Sequence, residues 1–278
     1  MISVVIPAHN ESAVIGRLLT GLLSQAQPGE FDVIVVANGC TDDTAEVAQA
    51  FGPPVTVVST PIPSKAAALR LGDARAAGFP RLYVDADIEL RTEDARALAQ
   101  ALAQPGILAV APHRDLALDR RPLSVRWYYQ FWQRLPVVQD GLFGRGVIGL
   151  TAEGKARLGE MPDILGDDLA ASIAFAAHEK QVVRHASVRI HTPRTGADLI
   201  RRRIRSVTAT TQVGAQNSAG ATARTSRADL MAVVRAHPGM ALRLPVFLGI
   251  TAISRQRARR RIRSGDFTTW LRDESSRT

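Results

Sequence analysis

The sequence predicts an α/β fold in which a mostly parallel central sheet is flanked by helices. Short β-branched runs alternate with helical patterns, beginning with a strand at Ile2–Pro7 and a helix at Ser12–Gln25. The strand segments are unbroken apolar runs, which is typical of parallel strands that helices cover on both faces. Polar residues directly follow several of these runs, and ligands of such sheets bind beyond the carboxyl ends of the strands.

The first half of the chain alternates regularly between the two element types. Its apolar runs predict strands at Ile2–Pro7, Asp32–Ala37, Val55–Ser59, Leu82–Asp85 and Ile107–Pro112. Apolar residues at helical spacing predict helices at Ser12–Gln25, Asp42–Phe51, Lys65–Ala77 and Thr92–Ala103. Asp42 is well placed as the N-cap of its helix. Right-handed crossover connections follow from this alternation.

The second half is less regular. Arg126–Leu135 is rich in aromatic residues, which either form the buried side of an amphipathic helix or line an acceptor site. The remaining patterns predict strands at Gly146–Leu150 and Ala186–His191, and a helix from Gly166 to about His178. Further helices are predicted at Gly196–Asn217, Arg227–Arg235 and Gly239–Arg263.

The composition is that of an ordinary globular protein with an uneven distribution of positive charge. The 278 residues are 46% hydrophobic and 22% charged, with a net charge of +9. Arginines cluster at residues 201–205 and 255–263. Such clusters fit phosphates, anionic lipids or nucleic acid, or form a solvated helix face. The single cysteine, Cys40, excludes an intramolecular disulfide and a cysteine metal site. No signal peptide or membrane span is recognised, so we expect a cytoplasmic protein.

Two carboxylates end the fourth predicted strand. Asp85 and Asp87 are separated only by Ala86, so both can face one ion once the chain leaves its extended conformation. Mg²⁺ and Mn²⁺ prefer oxygen ligands and commonly bind one or two carboxylates together with substrate phosphates. Two solvated acids in a surface loop are the alternative. Polar residues 7–11 and 38–43 also follow strands, which favours a site at this edge of the sheet.

These segments resemble a known family. Val4–Glu11, Asn38–Thr44, Lys65–Leu69 and Asp85–Asp87 resemble, in order and spacing, the donor half of family 2 nucleotide-sugar glycosyltransferases. The resemblance implies a GT-A fold with a Rossmann-like sheet, a nucleotide-diphosphate sugar donor, Mg²⁺ or Mn²⁺, and an inverting transfer to a hydroxyl acceptor. It divides the chain into two parts. Residues 1–195 form a glycosyltransferase domain, with a donor half at 1–112 and an acceptor half at 113–195. Residues 196–278 form a helical, arginine-rich C-terminal extension.

The resemblance implies contacts with the nucleoside from the first two loops. Pro7, Ala8 and His9 correspond to residues that pack on the base, and Glu11 to one that holds the nucleoside. Pro7 is also expected to fix the turn by which the chain leaves the sheet. Asn38 stands where many relatives have an acid, and its amide can read a base edge.

Further residues are implied to contact the diphosphate, the sugar and the metal. Lys65 begins a helix, where a cation is unfavourable unless a phosphate is near. Asp87 matches the direct metal ligand, and Asp85 the residue near the ribose or a metal-bound water. Ala86 lies between them in the donor segment, and Gly146 allows close approach beneath the sugar.

The candidate catalytic base, a candidate metal ligand and a candidate phosphate-binding arginine come from the second half of the chain. Asp168 corresponds to the position of the base that takes the proton of the acceptor hydroxyl, and Asp167 to its supporting acid. His191 matches a region that often supplies a third metal ligand. Arg202 lies in the 201–205 cluster, where membrane-acting relatives grip phosphate, although their tryptophan-containing signature is absent here.

Two other functions fit parts of the sequence. One is a sugar nucleotidyltransferase, which usually has a glycine-rich loop with Arg and Lys after the first strand; the loop Pro7–Glu11 differs from it. The other is a basic membrane- or nucleic-acid-binding protein whose donor site has decayed. For the glycosyltransferase we expect no nucleic-acid partner. The sequence leaves open which sugar and which nucleobase the donor carries, and whether the acceptor is a lipid, a glycan or a small molecule. It also leaves open whether the arginine-rich helix contacts the inner face of an anionic membrane and whether the protein forms a homodimer.

Overall fold

A single mixed sheet organises the molecule. The computed structural model describes residues 1–159, 172–216 and 225–263. In the described residues the sheet has eight strands in the order β3-β2-β1-β4-β7-β6-β8-β5. The strands are β1 (Ile2–Ala8), β2 (Phe31–Asn38), β3 (Val55–Thr60), β4 (Arg81–Val84), β5 (Ile88–Leu90), β6 (Ala109–Ala117), β7 (Val147–Leu150) and β8 (Lys180–His191).

Helices cover the sheet and extend beyond it at the C-terminal side. The helices are α1 (Ser12–Leu23), α2 (Thr44–Gln49), α3 (Lys65–Arg75), α4 (Thr92–Leu102), α5 (Leu123–Trp132), α6 (Pro136–Asp140), α7 (Ala152–Leu158), α8 (Gly196–Gln216), α9 (Arg227–Ala236) and α10 (Leu244–Arg263). No helix in the described part of the chain is both long enough and apolar enough to span a bilayer.

The sheet is parallel in its first half and mixed in its second. β1 pairs in parallel with β2 and β4, and β2 pairs in parallel with β3. β7 is antiparallel to both β4 and β6, and β5 is antiparallel to β8. The predicted mostly parallel α/β sheet is therefore confirmed, and the antiparallel strands bring β7 against β4 beside the Asp85–Asp87 loop.

Close packing of α3 on the sheet sets the position of its first residue. Gly72 faces β1, where an added Cβ would lie 2.4 Å from Val5 Cγ1, so only glycine permits this approach. Ala68 and Leu69 are buried on the same side of the helix. Because α3 is held against β1 and β2, Lys65 at its start lies above the carboxyl ends of those strands.

A second apolar core joins the C-terminal helices to α5. Tyr128 and Phe131 of α5 are fully buried and stack on Phe247 of α10, with ring centroids 5.3 Å and 4.9 Å apart. Leu199 of α8 and Ile250 of α10 belong to the same cluster. The packing interpretation of the aromatic segment therefore applies to Tyr128 and Phe131. The domain boundary at residue 195 stays a prediction.

Several predicted boundaries differ from the structure. β6 continues to Ala117 because an irregularity between Pro112 and His113 shifts its pairing with β8 instead of ending it. The helix predicted from Gly239 begins at Leu244, after a short 3₁₀ turn at Pro238–Met240. The sequence patterns missed the short elements β5, α6 and α7. The helix predicted from Gly166 has its first residues outside the described ranges.

Candidate active site

Three polar loops meet at one edge of the sheet. They follow β1, β2 and β4, which are parallel neighbours in the order β2-β1-β4. The carboxyl ends of parallel strands lie at the same edge of a sheet. The predicted convergence of residues 7–11, 38–43 and 85–87 is therefore confirmed by the order of the strands.

The first two loops are tied together by main-chain and side-chain hydrogen bonds. His9 Nδ1 lies 2.6 Å from the Asn38 carbonyl oxygen, so this nitrogen carries the proton and donates. Asn38 Nδ2 donates to the Ala8 oxygen at 2.8 Å and to the Val36 oxygen at 3.4 Å. Asn38 is almost fully buried. Both amide hydrogens of Asn38 are therefore used within the protein, and only its Oδ1 can serve a base, as an acceptor.

The chain leaves β1 later than the sequence suggested. Pro7 still pairs with Val36 in the ladder, and β1 ends at the buried Ala8. The turn comes at Asn10, whose φ of 51° places it in the left-handed region that asparagine tolerates. Asn10 Oδ1 accepts from Thr41 N at 2.7 Å. The expectation that Pro7 fixes the turn was wrong, because the strand pairing extends past it.

Asp42 connects the starts of two helices. Its Oδ2 accepts from Ser12 N at 3.1 Å, and its Oδ1 accepts from Thr44 N at 3.2 Å and from the Thr44 hydroxyl. The N-cap position of α2 is Asp43, so the expectation that Asp42 is the N-cap was wrong. Burial would raise the pKa of Asp42, but the hydrogen bonds from Thr44 and Ser12 lower it overall. Glu11, the buried residue before Ser12, occupies the N-cap position of α1.

Lys65 and Asp85 form an ion pair across the site. Lys65 Nζ lies 2.8 Å from Asp85 Oδ1, and both side chains are about two-fifths exposed, at 39% and 41%. Lys65 is the first residue of α3, and the preceding Ser64 caps the helix by accepting from Ala67 N at 3.2 Å. The ion pair gives Lys65 a negative partner near a helix end that disfavours cations.

Gly146 packs against Ile88 and beside Asp85 in a conformation that favours glycine. Its φ is +68°, and an added Cβ would lie 2.7 Å from Ile88 Cγ2 and 3.6 Å from Asp85 Oδ2. The Gly146 oxygen also accepts from Asp85 N at 2.8 Å. Gly146 therefore packs against Ile88 and beside Asp85, and its approach to the donor sugar stays a prediction.

Arg145 holds the segment that carries Gly146. The guanidinium donates to four main-chain oxygens, those of Gly141 at 2.9 Å, Pro112 at 2.9 Å, Gln139 at 2.7 Å and Val138 at 3.3 Å. Only 2% of Arg145 is exposed, and this burial lowers the pKa of Arg145 to about 10. The arginine is a structural tie between the end of α6 and β6.

His191 is held by an acid that sequence reasoning did not select. His191 Nε2 donates to Glu89 Oε1 at 2.6 Å, and Arg17 Nε lies 3.3 Å from the same oxygen. β5 and β8 are antiparallel with Ile88 opposite Ile190, so Asp87 and His191 lie at the same end of this ladder. β5 has only three residues, too few for its alternating pattern to identify Glu89 in advance.

The remaining predicted residues are only partly within the described chain. Arg202 Nη1 donates to the His191 oxygen at 3.2 Å, which links α8 to the end of β8. Asp167 and Asp168 lie outside the described residues. Their predicted role in proton removal therefore stays a prediction.

The described residues contain no group of three or more His, Cys, Asp or Glu side chains placed to hold a metal ion. The donor set at the edge of the sheet nevertheless fits Mg²⁺ or Mn²⁺, because both bind one or two carboxylates and complete their shells with water and phosphate oxygens. Asp85 and Asp87 supply such carboxylates, and Gly146 leaves space beside the first of them.

Half of the chain matches a protein family. Residues 3–141 match the model of the family described as glycosyl transferase family 2. A relative from Staphylococcus aureus (strain USA300), 4,4'-diaponeurosporenoate glycosyltransferase, is 33% identical over 120 residues. That alignment covers 40% of this chain but only 32% of the relative, so about two thirds of the relative's length has no counterpart in the match.

Solved structures share the fold. The mannosyltransferase PcManGT from Pyrobaculum calidifontis, solved with GDP-Man and Mn²⁺, has a TM-score of 0.63 and 21% identity, over 95% of this chain and 79% of that chain. Glucosyl-3-phosphoglycerate synthase from Mycobacterium tuberculosis, solved with Mn²⁺, UDP-glucose and phosphoglyceric acid, has a TM-score of 0.56 and 24% identity. It aligns over 77% of this chain and 80% of its own. The GT-A fold expected from the sequence is thereby confirmed.

Proposed function

Because the chain belongs to glycosyl transferase family 2, we propose that it transfers a sugar from a nucleotide-diphosphate sugar to a hydroxyl group. The observation that carries the proposal is the Lys65–Asp85 pair beside Gly146, at the edge where three polar loops meet. A cation and carboxylates placed together fit a ligand that brings both phosphates and a metal.

The donor is proposed to lie across the ends of β1, β2 and β4. Pro7, Ala8 and His9 would pack on the base, with the His9 ring held by its hydrogen bond to Asn38. Asn38 Oδ1 would accept from an N–H of the base, a group that uracil and guanine both carry on a ring nitrogen. Glu11 would help to hold the nucleoside.

The diphosphate and metal are proposed to lie between α3 and the Asp85–Asp87 loop. Asp87 would be the direct ligand, with Asp85 and His191 as further candidates and Ala86 between the two acids. When bound, Mg²⁺ or Mn²⁺ would neutralise the negative charge that develops on the departing nucleotide diphosphate. Lys65 and Arg202 are proposed to bind phosphate oxygens, and Gly146 to let the sugar approach the main chain.

An inverting transfer needs a base on the acceptor side. We propose that Asp168 removes the proton of the acceptor hydroxyl, with Asp167 as its supporting acid. The acceptor itself is open among a lipid carrier, a glycan and a small natural product. Four further points stay predictions: that the protein is cytoplasmic, that it contacts the inner face of the membrane, that it has no nucleic-acid partner, and that it forms a homodimer.

The proposal is tested by thermal shift with nucleotide diphosphates, with and without Mn²⁺. Binding to the native state alone raises stability by RT ln(1 + [L]/Kd), about 2.7 kcal/mol at a hundredfold excess over Kd. We expect UDP or GDP to raise the Tm clearly when Mn²⁺ is present. Asp87→Ala should abolish the metal-dependent part of the rise.

The matched control is Asp119→Ala, since the Asp119 side chain is 93% exposed and distant in sequence from the site. This variant should respond to nucleotide and Mn²⁺ as the unaltered protein does. If no nucleotide diphosphate raises the Tm in either condition, or if Asp87→Ala responds fully, the proposed donor site is wrong.

A further inference from the structure

One face of α10 is buried and the opposite face is open. Phe247, Ile250, Ser254 and Ala258 are buried, at the helical spacing that places them on one side. This side packs against α5 and α8. The opposite side of α10 is exposed along its whole described length, so its residues make little contribution to the core.

Large apolar side chains lie on this open face. Leu248 is 43% exposed and Ile253 is 40% exposed, and Leu242, just before the helix, is 75% exposed. Isolated exposed leucines are common in proteins, but several on one short segment mark an interaction surface more often. Core packing does not require these side chains, because α10 already packs against α5 and α8 through its opposite face.

Arginines follow the apolar residues on the same helix. Arg255, Arg257, Arg259 and Arg260 are all exposed. Leu248, Arg255 and Arg259 are spaced by seven and four residues, so they lie along one line of the helix. The open face of α10 is therefore apolar in its first turns and strongly basic in its later turns.

These charges have no acidic partners within the described chain. The sequence of α10 contains no Asp or Glu. Arg255, Arg257, Arg259 and Arg260 form no salt bridge with any described residue. Unpaired guanidinium groups on one face create a positive potential that attracts an anionic partner.

We propose that the open face of α10 docks on an anionic phospholipid membrane. Leu242, Leu248 and Ile253 would enter the boundary between head groups and acyl chains, as interfacial helices do. The arginines would bind lipid phosphates while their aliphatic stems follow the apolar side chains. The helix lies on the membrane and does not cross it.

A lipid surface explains the face better than the other anionic or apolar partners. Nucleic acid would bind the arginines but would gain nothing from burying Leu248 and Ile253. A second copy of the chain would bring two basic faces together, and their like charges would repel. Of these three partners, the anionic lipid surface alone uses both the charge and the apolar side chains.

Co-sedimentation of the full chain with phospholipid vesicles tests the proposal. We expect binding to vesicles of phosphatidylglycerol and phosphatidylcholine and at least about tenfold weaker binding to pure phosphatidylcholine. About 0.5 M NaCl should weaken the binding, since salt screens exposed charges. Equal binding to both vesicle types, or none to the anionic vesicles at low salt, would overturn the proposal.

Two sets of substitutions separate the charged and apolar contributions. Replacing Arg255, Arg257, Arg259 and Arg260 with Gln should lower the partition coefficient at least about tenfold, and Leu248→Ser with Ile253→Ser by about tenfold. Controls on the donor half are Arg70→Gln with Arg75→Gln, to be compared with Arg255→Gln with Arg259→Gln, and Ile62→Ser, to be compared with Leu248→Ser alone; all of these residues are exposed. The controls should bind as the unaltered protein does.

The thermal stability of the variants separates lost membrane contact from misfolding. All altered side chains are exposed, so the Tm of each variant should match that of the unaltered protein. A retained Tm with lost vesicle binding supports the proposal, and a control pair that weakens binding as much as the α10 variants would contradict it. Binding to single-stranded or duplex DNA gives a further test. If the Arg variant lost DNA binding while the Leu248→Ser, Ile253→Ser variant kept it, nucleic acid would be favoured and the lipid assignment would be overturned.

Discussion

At the residue scale, the pairing of Lys65 with Asp85 is the most informative contact of the candidate site. Lys65 Nζ lies 2.8 Å from Asp85 Oδ1 and offsets its negative charge. A bound metal would compete with Lys65 for this carboxylate, whereas a bound diphosphate would give the ammonium group a second anionic partner. Lys65 should therefore oppose binding of the bare metal and favour binding of the nucleotide.

Replacing Lys65 tests this opposition directly. Lys65→Met should raise the affinity for Mn²⁺ alone by roughly two- to fivefold, a small effect because the pair is exposed to solvent. The same change should weaken nucleotide diphosphate binding about tenfold or more, because a charge-assisted contact is lost. Titration calorimetry measures both affinities.

Lys65→Arg is the matched control, since it keeps the positive charge. It should retain most of the nucleotide affinity and should not increase Mn²⁺ binding. If Lys65→Met weakened both ligands equally, Lys65 would act only by supporting the structure of α3.

At the element scale, the loop between α6 and β7 is shaped by its contact with β4 and β5. Arg145 fixes the loop from one side through its four main-chain acceptors. Gly146 meets Ile88 and Asp85 from the other side with a positive φ. The position of Asp85 thus depends on how closely β7 can approach β4.

Gly146→Ala should destabilise the protein and disturb the site together. A positive φ costs a residue with a Cβ about 1–2 kcal/mol, and the clash with Ile88 adds to this cost. We expect a loss of about 2–4 kcal/mol in the free energy of unfolding, together with weaker metal-dependent nucleotide binding. Urea denaturation and thermal shift measure the two effects.

Gly29 provides a matched control for backbone strain. Its φ of +74° resembles that of Gly146, but an added Cβ would meet nothing within 4 Å. Gly29→Ala should therefore cost only about 1–2 kcal/mol and leave nucleotide binding unchanged. Equal losses in the two variants would mean that the Ile88 contact does not matter.

At the scale of the whole molecule, acid should destabilise the fold through several carboxylates. Hydrogen bonds and ion pairs lower the pKa of Asp42, Glu30, Glu179 and Asp229. A carboxyl group with a lowered folded-state pKa stabilises the protein above its unfolded pKa of about 4 and loses that contribution as the pH falls further. The net charge of +9 also grows more positive in acid, which increases self-repulsion.

We therefore expect the steepest fall of the Tm below about pH 4, with a smaller fall from about pH 7 to pH 5 because burial lowers the pKa of His113. Differential scanning calorimetry across this range measures the change. Asp42→Asn should lower the Tm at pH 7 and flatten its fall in acid, because that carboxylate no longer titrates. A variant whose Tm falls in parallel with that of the unaltered protein would show that Asp42 contributes nothing to the pH dependence.

The sequence was sufficient to predict the parallel half of the fold. Each predicted strand from Ile2 to Val84 lies within two residues of the observed one, because unbroken apolar runs are a strong signal. The mixed half was predicted less well. β5 has three residues, too few to be recognised from a pattern, and β6 was predicted only as far as Pro112 because an irregularity follows there.

For the site, the order of strands and helices along the sequence was enough to identify the polar loops that follow parallel strands, and so the side chains that converge: residues 7–11, 38–43 and 85–87. Their convergence follows from a general property of parallel sheets. The contacts between distant segments are seen only in the folded molecule, including Lys65 with Asp85, His191 with Glu89, and Gly146 against Ile88. Such contacts depend on strand register and on how closely the helices and strands pack. The spacing of residues along the sequence does not specify the distances between side chains from different elements.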